Sequence, residues 1–152
     1  IDISKLSAAA GISRPTLYSY MELLESTFFV KRLNVISKNP DVEISKAQKL
    51  YICDNGLLNV LAEVSSGVQF ENCVFNQLQN LGGLNYYSLK TGKEIDFILN
   101  KNTAYETKER FTLQDVSKLK HLASKIKLKK FNVIFRYPSL AQPSQIWGGF
   151  IV

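Results

Sequence analysis

Cysteine, histidine, methionine and tryptophan are nearly absent from this sequence, which holds two, one, one and one of them in 152 residues. Cys53 and Cys73 are too few for a disulfide scaffold, and their spacing matches no zinc signature. Both are expected as reduced, buried thiols. Apolar runs extend only a few residues, far short of the roughly 20 that cross a bilayer. The start also lacks the basic-then-apolar layout of a leader peptide. The expected compartment is the cytoplasm, with no membrane partner. No GxxxxGK[S/T] run occurs, and Gly92-Lys93 is followed by Glu94 in a turn, so ATP is not expected to bind through a phosphate loop. The chain opens on Ile1 rather than Met, and Ile1 to Ser4 run straight into a patterned segment. The expectation is a piece of a longer protein.

Apolar residues make up 45% of the chain and charged residues 21%, the balance of a globular protein. The net charge of +6 is unevenly placed. Residues 1–65 carry seven basic and seven acidic groups, which leaves twelve basic against six acidic for residues 66–152. All the excess positive charge therefore lies in the second part.

Residues 2–26 read as two helices around a tight turn. Asp2 suits a cap, Gly11 suits the left-handed residue that ends the first helix, and Ser13 can cap a second one starting at Arg14. Leu17, Tyr20, Met21 and Leu24 recur at helical spacing and should pack on Leu6 and Ala10. Arg14, Tyr18, Ser19 and Glu22 are left facing outward. The segment KLSAAAGISRPTLYSYMELLE resembles the helix-turn-helix of bacterial regulators. Phe28 to Ile36, a turn cluster over Ser37 to Asp41, and Lys49 to Cys53 then read as the two strands of a wing. Asp54-Asn55-Gly56 breaks the pattern, and Leu57 to Leu61 suits a short connecting helix. The boundary is expected at Ser65-Ser66-Gly67.

Beyond it, Val68 to about Leu81 reads as a helix with Val68, Val74, Phe75, Leu78 and Leu81 on one stripe. Glu71 lies inside that stripe, where a charge is costly unless paired. Three short strands follow at Leu84 to Leu89, Glu94 to Leu99 and Thr103 to Lys108. Strict alternation puts Ile95, Phe97 and Leu99 on one face of the second strand, and Glu94, Asp96 and Ile98 on the other. Ala104, Glu106 and Lys108 share a face of the third. A lysine-rich helix with Leu113, Val116, Leu119, Leu122 and Ile126 inward comes next. A strand at Phe131 to Phe135, a loop at Pro138 to Ser144 and a closing apolar segment at Ile146 to Val152 complete an α+β layout. His121 is read as surface or boundary, and Tyr86, Tyr87 and Trp147 as core or sheet aromatics.

The sharpest chemical signal is Asp96 followed, ten residues on, by Glu106-Thr107-Lys108. Two neighbouring strands can bring these carboxylates together, and close carboxylates call for a cation or a proton between them. Mg2+ or Mn2+ suits such hard oxygen ligands, with Asp96, Glu106 and Glu71 as the expected set. Lys108 could orient or polarise an attacking water.

This order, Glu on a helix, then Asp, then Glu-x-Lys on consecutive strands, resembles the PD-(D/E)xK nucleases, with Ile95 standing where the family name has Pro. More widely, KLYICDNGL (Lys49 to Leu57), FENCVFNQL (Phe70 to Leu78), YYSLKTGKEIDFIL (Tyr86 to Leu99) and YETK (Tyr105 to Lys108) resemble the C-terminal region of a family of prokaryotic AAA+ ATPases. In that family an ATPase module is followed by a winged helix and a domain of unknown function, DUF4143. The resemblance implies an N-terminal winged helix-turn-helix over residues 1–65 and a restriction-endonuclease-like α/β domain over residues 66–152. It also implies an upstream ATPase module as partner.

Two functional expectations follow. In one, the chain engages duplex DNA through Arg14, Tyr18 and Ser19 and through Lys118, Lys120 and Lys125, and hydrolyses it at Glu71, Asp96, Glu106 and Lys108. In the other, it is a non-catalytic regulatory tail that docks DNA or a protein. The acids and Lys108 are then a structural ion-pair cluster, and the lysines a solvated face.

Overall fold

The computed structural model describes residues 2–37, 48–89, 91–137 and 145–148. The expected turn at Ser37 to Asp41 falls largely outside them, as do the loop at Pro138 to Ser144 and the last four residues of the closing segment.

Helix α1 (Ile3–Ala10) begins at Asp2, whose carboxylate accepts the amides of Ser4 and Lys5 at 3.0 and 3.1 Å, and ends at Gly11 with φ of 66°. Helix α2 (Arg14–Ser26) is capped by Ser13. Leu17 and Met21 are buried with Val30 against Ile3, Ile12, Leu24, Phe29 and Ile52. Arg14, Tyr18, Ser19 and Glu22 are exposed, as expected. The packing partners differ, because Tyr20, Leu6 and Ala10 are exposed too. Ser7 takes the inward place on α1, and its hydroxyl donates to the Ile12 carbonyl at 2.6 Å.

Strands β1 (Val30–Leu33) and β2 (Lys49–Ile52) pair antiparallel, with Val30 opposite Ile52 and Leu33 opposite Lys49. Arg32 forks onto the Glu25 carboxylate, with Nε donating at 2.8 Å, and this ties β1 to α2. Helix α3 (Asn55–Leu61) starts at its cap Asp54, and α4 (Ser66–Leu78) starts at Ser65 and runs into a short 3-10 turn, Gln79–Leu81.

The main sheet has strand order β3-β4-β5-β6-β7, made of Leu84–Ser88, Glu94–Leu99, Thr103–Lys108, Lys130–Phe135 and Gln145–Trp147. The first three form an antiparallel meander, while β6 and β7 join in parallel. A parallel neighbour needs a long crossover, and between β5 and β6 helix α5 (Leu113–Lys125) supplies it. The architecture is a mixed α+β fold, and no helix among the described residues is long and apolar enough to cross a membrane.

Two apolar layers flank the sheet. One joins Leu33, Val35 and Tyr51 to Phe70, Val74, Phe75, Leu78, Phe97 and Ile134, so side chains from both sides of residue 65 share a core. The other packs Ile95, Ile98, Ala104 and Val133 under Leu119, Leu122 and Ala123 of α5. Strict alternation along β4 fails here. Tyr87 pairs with Ile95 and Asn85 with Ile98, so β4 spends one residue more than its partner. Such a bulge re-aims side chains: Ile95 and Ile98 end in one layer, and Phe97 in the other.

Some expected inward positions are corrected. Val68, Leu81 and Leu113 are exposed, because the sheet covers a narrower face of each helix than the apolar pattern suggests. On α4, Phe70 and Asn72 are buried instead. Asn72 accepts from the Ile52 amide and donates to the Ile52 carbonyl, each at 2.9 Å, and so acts as a latch between α4 and β2. The two thiols are free but only half-buried. Tyr86 is buried, whereas Trp147 is 43% exposed, with its indole donating to the Arg136 carbonyl.

Candidate functional site

Asp96 and Glu106 lie on adjacent strands, each one residue beyond the paired Phe97 and Tyr105. Glu71 approaches from α4. With Lys108, Glu94, Thr107 and Asp115, and with Lys118 and His121 at the rim, all three acids line one cleft of ≈ 710 Å³. The cleft thus gathers the four residues expected to carry chemistry. Of the three expected α5 lysines, Lys118 lines it, while Lys120 and Lys125 are exposed elsewhere on that helix.

Hydrogen bonds divide the acids into two groups. In the first, the Lys49 ammonium reaches Glu71 at 3.1 Å, Glu94 at 2.9 Å and Asp96 at 3.1 Å. Tyr51, two residues along the same face of β2, donates to the same Glu71 oxygen at 2.6 Å. The other Asp96 oxygen accepts from the amide and the hydroxyl of Thr107, both at 2.9 Å. Burial works against the charge on Lys49, yet Asp96, Glu71 and Glu94 together hold its pKa well above the ordinary lysine value. Burial and the nearby Glu71 charge push the Tyr51 phenol up, so it stays a donor.

In the second group, Lys108 donates to Glu106 Oε1 at 2.7 Å. Glu106 Oε2 is buried and has no hydrogen-bond partner among the described residues. Burial, and then the charge of Asp96, push the Glu106 carboxyl up to about 7, against the pull of Lys108 and Lys49. The Glu106 hydrogen bond and charge raise Lys108 in turn, against its own burial. An orphaned carboxylate oxygen in an acid cleft is costly, and proteins keep such groups where a ligand or proton meets them.

This donor set suits a hard divalent cation in kind, being carboxylate oxygens with one oxygen unclaimed. The present spacing is another matter. Among the described residues no three acid, histidine or cysteine side chains are gathered to hold a metal ion. Glu71, Glu94 and Asp96 are set instead at hydrogen-bond distance around an ammonium.

Glu94 and Thr107 line the cleft but were not expected there, and nor were Lys49 and Tyr51, which reach its acids from β2. Glu94 had one signal, its shared parity with Asp96 on β4. Lys49 had none, since it sits on a strand of the first half. A second cleft of ≈ 640 Å³ is lined by Glu25, Phe28, Arg32 and Gly82 among others, and its one acid is already paired with Arg32.

Residues 1–67 match a family described as a domain of unknown function, DUF8612. The match spans α1 to α3 and the β1-β2 hairpin. It corrects the resemblance to the DUF4143 tail of AAA+ ATPases, because DUF8612 is a different family and nothing found supports an ATPase module. The short stretches that carried that resemblance are built largely of apolar residues and turn formers, which many α+β folds require. The match stops before Glu71, so it is silent on the acid cleft. No curated protein and no solved structure matches the chain.

Proposed function

We propose that the chain engages duplex DNA and hydrolyses its phosphodiester backbone at the acid cleft. In this reading residues 2–53 act as a winged helix, presenting Arg14, Tyr18 and Ser19 of α2, and the sheet with its flanking helices is nuclease-like in layout. The observation that carries it is the buried, partnerless Oε2 of Glu106, placed beside Asp96 and Lys108 in an open cleft. A purely structural acid of that burial would ordinarily find a partner for both oxygens.

Asp96, Glu106 and Glu71 would hold Mg2+ or Mn2+. When bound, the cation would supply positive charge against the phosphate and acidify water. The chain's own residues do the rest. Thr107 fixes the Asp96 carboxylate by two hydrogen bonds to one oxygen and leaves the other, which Lys49 meets, for a cation. Lys108 holds Glu106 and brings a positive charge to the cleft wall, where it can meet a phosphate oxygen or orient the attacking water. Lys118 and His121 at the rim add cationic or hydrogen-bonding groups for the flanking backbone.

One observation favours a second reading. Lys49 alone satisfies an oxygen on each of Glu71, Glu94 and Asp96, as a structural ion-pair cluster would. The chain would then be a DNA- or protein-docking module without chemistry.

Thermal unfolding with and without Mg2+ or Mn2+, run beside a plasmid-nicking assay, separates the two. The hydrolytic reading expects metal to raise the melting temperature, by an amount worth about 2.7 kcal/mol at a hundred times the dissociation constant. It also expects metal-dependent nicking that is lost in Lys108→Ala and a stabilisation that is lost in Asp96→Asn. Metal-insensitive melting together with no nicking leaves only the docking module.

A further inference from the structure

We infer that Lys49 is a built-in counter-cation that competes with a divalent ion for the cleft carboxylates, so that metal loading requires its withdrawal. This rests on the metal-site reading above. An ammonium has three N–H donors, and Lys49 places a carboxylate on three sides of itself: Glu71, Glu94 and Asp96. Two of these, Glu71 and Asp96, belong to the set that would hold the cation. The contacts are 2.9 to 3.1 Å long, whereas Mg2+ draws its ligands to roughly 2.0–2.1 Å. The same oxygens cannot serve both at once.

Charge adds to the argument. Glu71, Glu94, Asp96, Glu106, Glu109 and Asp115 outnumber the cleft's Lys93, Lys108 and Lys118 together with Lys49 beside them, so a further divalent charge is electrostatically favoured. What it lacks is a free place at Glu71 and Asp96. Lys49 holds that place from β2, a strand outside the sheet that carries Asp96 and Glu106. Its side chain is 19% exposed, so solvent reaches part of it. Lys49 is therefore a positioning residue: it keeps the acids assembled in the absence of metal and sets the threshold at which metal enters.

The test is Mn2+ binding by calorimetry to the full chain and to Lys49→Met, which keeps the stem and removes the charge. Competition predicts tighter Mn2+ binding in the variant, by about tenfold or more, since a positive charge a few ångströms from the ion is gone. A lysine that merely braced the carboxylates would give the opposite sign, because slackened ligands bind less well. Lys49→Arg, which keeps the charge, should bind no more tightly than the wild type. If Lys49→Met does not fold, Lys49→Met with Glu94→Gln removes one charge of each sign and should still bind Mn2+ more tightly than the wild type. Equal or weaker binding by the variant, with Mn2+ still binding the wild type, overturns the competition and leaves the metal site standing. Mn2+ binding to neither protein overturns both.

Discussion

Glu106→Gln should make the protein more stable at alkaline pH and leave it unchanged in acid. The Glu106 carboxyl sits at about 7 in the folded chain against an ordinary glutamate value of 4.5. Because the folded value is the higher one, the folded state binds more protons than the unfolded state across that window, and stability falls as pH rises through it. Above about pH 7 the whole penalty is present, and at 1.36 kcal/mol per unit it is on the order of 3 kcal/mol. The side chain is only 16% exposed, so solvent does little to screen it. Glutamine carries no charge and still offers Lys108 an acceptor. At this chain length, about 3 kcal/mol corresponds to a melting temperature higher by about 6–12 °C. Urea unfolding of both proteins from about pH 4 to pH 8 measures the difference directly, and subtracting the curves cancels the titrating groups that do not interact with Glu106. A difference that stays flat with pH, or a variant less stable at the alkaline end, would refute the buried-acid account of Glu106.

Two further changes probe the frame around the cleft. Asn72→Ala removes the partner of the Ile52 amide, which the structure gives no substitute, and should cost about 2–3 kcal/mol by chemical denaturation; Asn72→Asp, which keeps the acceptor, should recover part of it. Gly82→Ala should cost at least about 2 kcal/mol, because a Cβ there would lie 2.2 Å from Asn100 Oδ1 at a φ of 146°. Gly92→Ala, with φ of 79° and open space around it, should cost only about 1 kcal/mol. Equal losses at the two glycines would contradict the close approach at Asn100.

The sequence shows local structure far better than it shows the site's long-range partners. Thr103–Lys108 and Glu94–Leu99 were legible to the residue because turn formers flank them and strand formers fill them. The exposed face of α2 was legible because a capped helix leaves one stripe for the core. The pairing of Asp96 with Glu106 followed from adjacency alone. What escaped has a physical pattern. Lys49 meets Asp96 across 47 residues of chain, and no local period records a contact of that span. The β4 bulge escaped because one extra residue in a strand leaves the apolar count unchanged while moving Ile98 to the other layer. Tyr20, Val68 and Leu113 carry an apolar signal that the fold leaves unused.

The packing of β2 constrains how the cleft could open. Leu33, Val35 and Tyr51 reach from the first half into the core of Phe75 and Phe97, and Tyr51 stacks on Phe75 with ring centroids 4.3 Å apart. Fully burying each such side chain contributes about 1.5–3 kcal/mol, and the Asn72 latch adds hydrogen bonds to that hold. Separating the halves would forfeit all of these together. Lys49 is held differently, by ion pairs at a partly hydrated cleft edge, of which Glu94 is 40% exposed. Only the Glu94 pair is of the exposed kind that contributes little; Lys49 and Asp96 are 19% and 8% exposed, and the buried carboxylates that Lys49 leaves would be costly but for the incoming divalent charge that compensates them. Rotation of one lysine side chain is therefore the lower path to an open acid cleft, and β2 can stay docked while it happens.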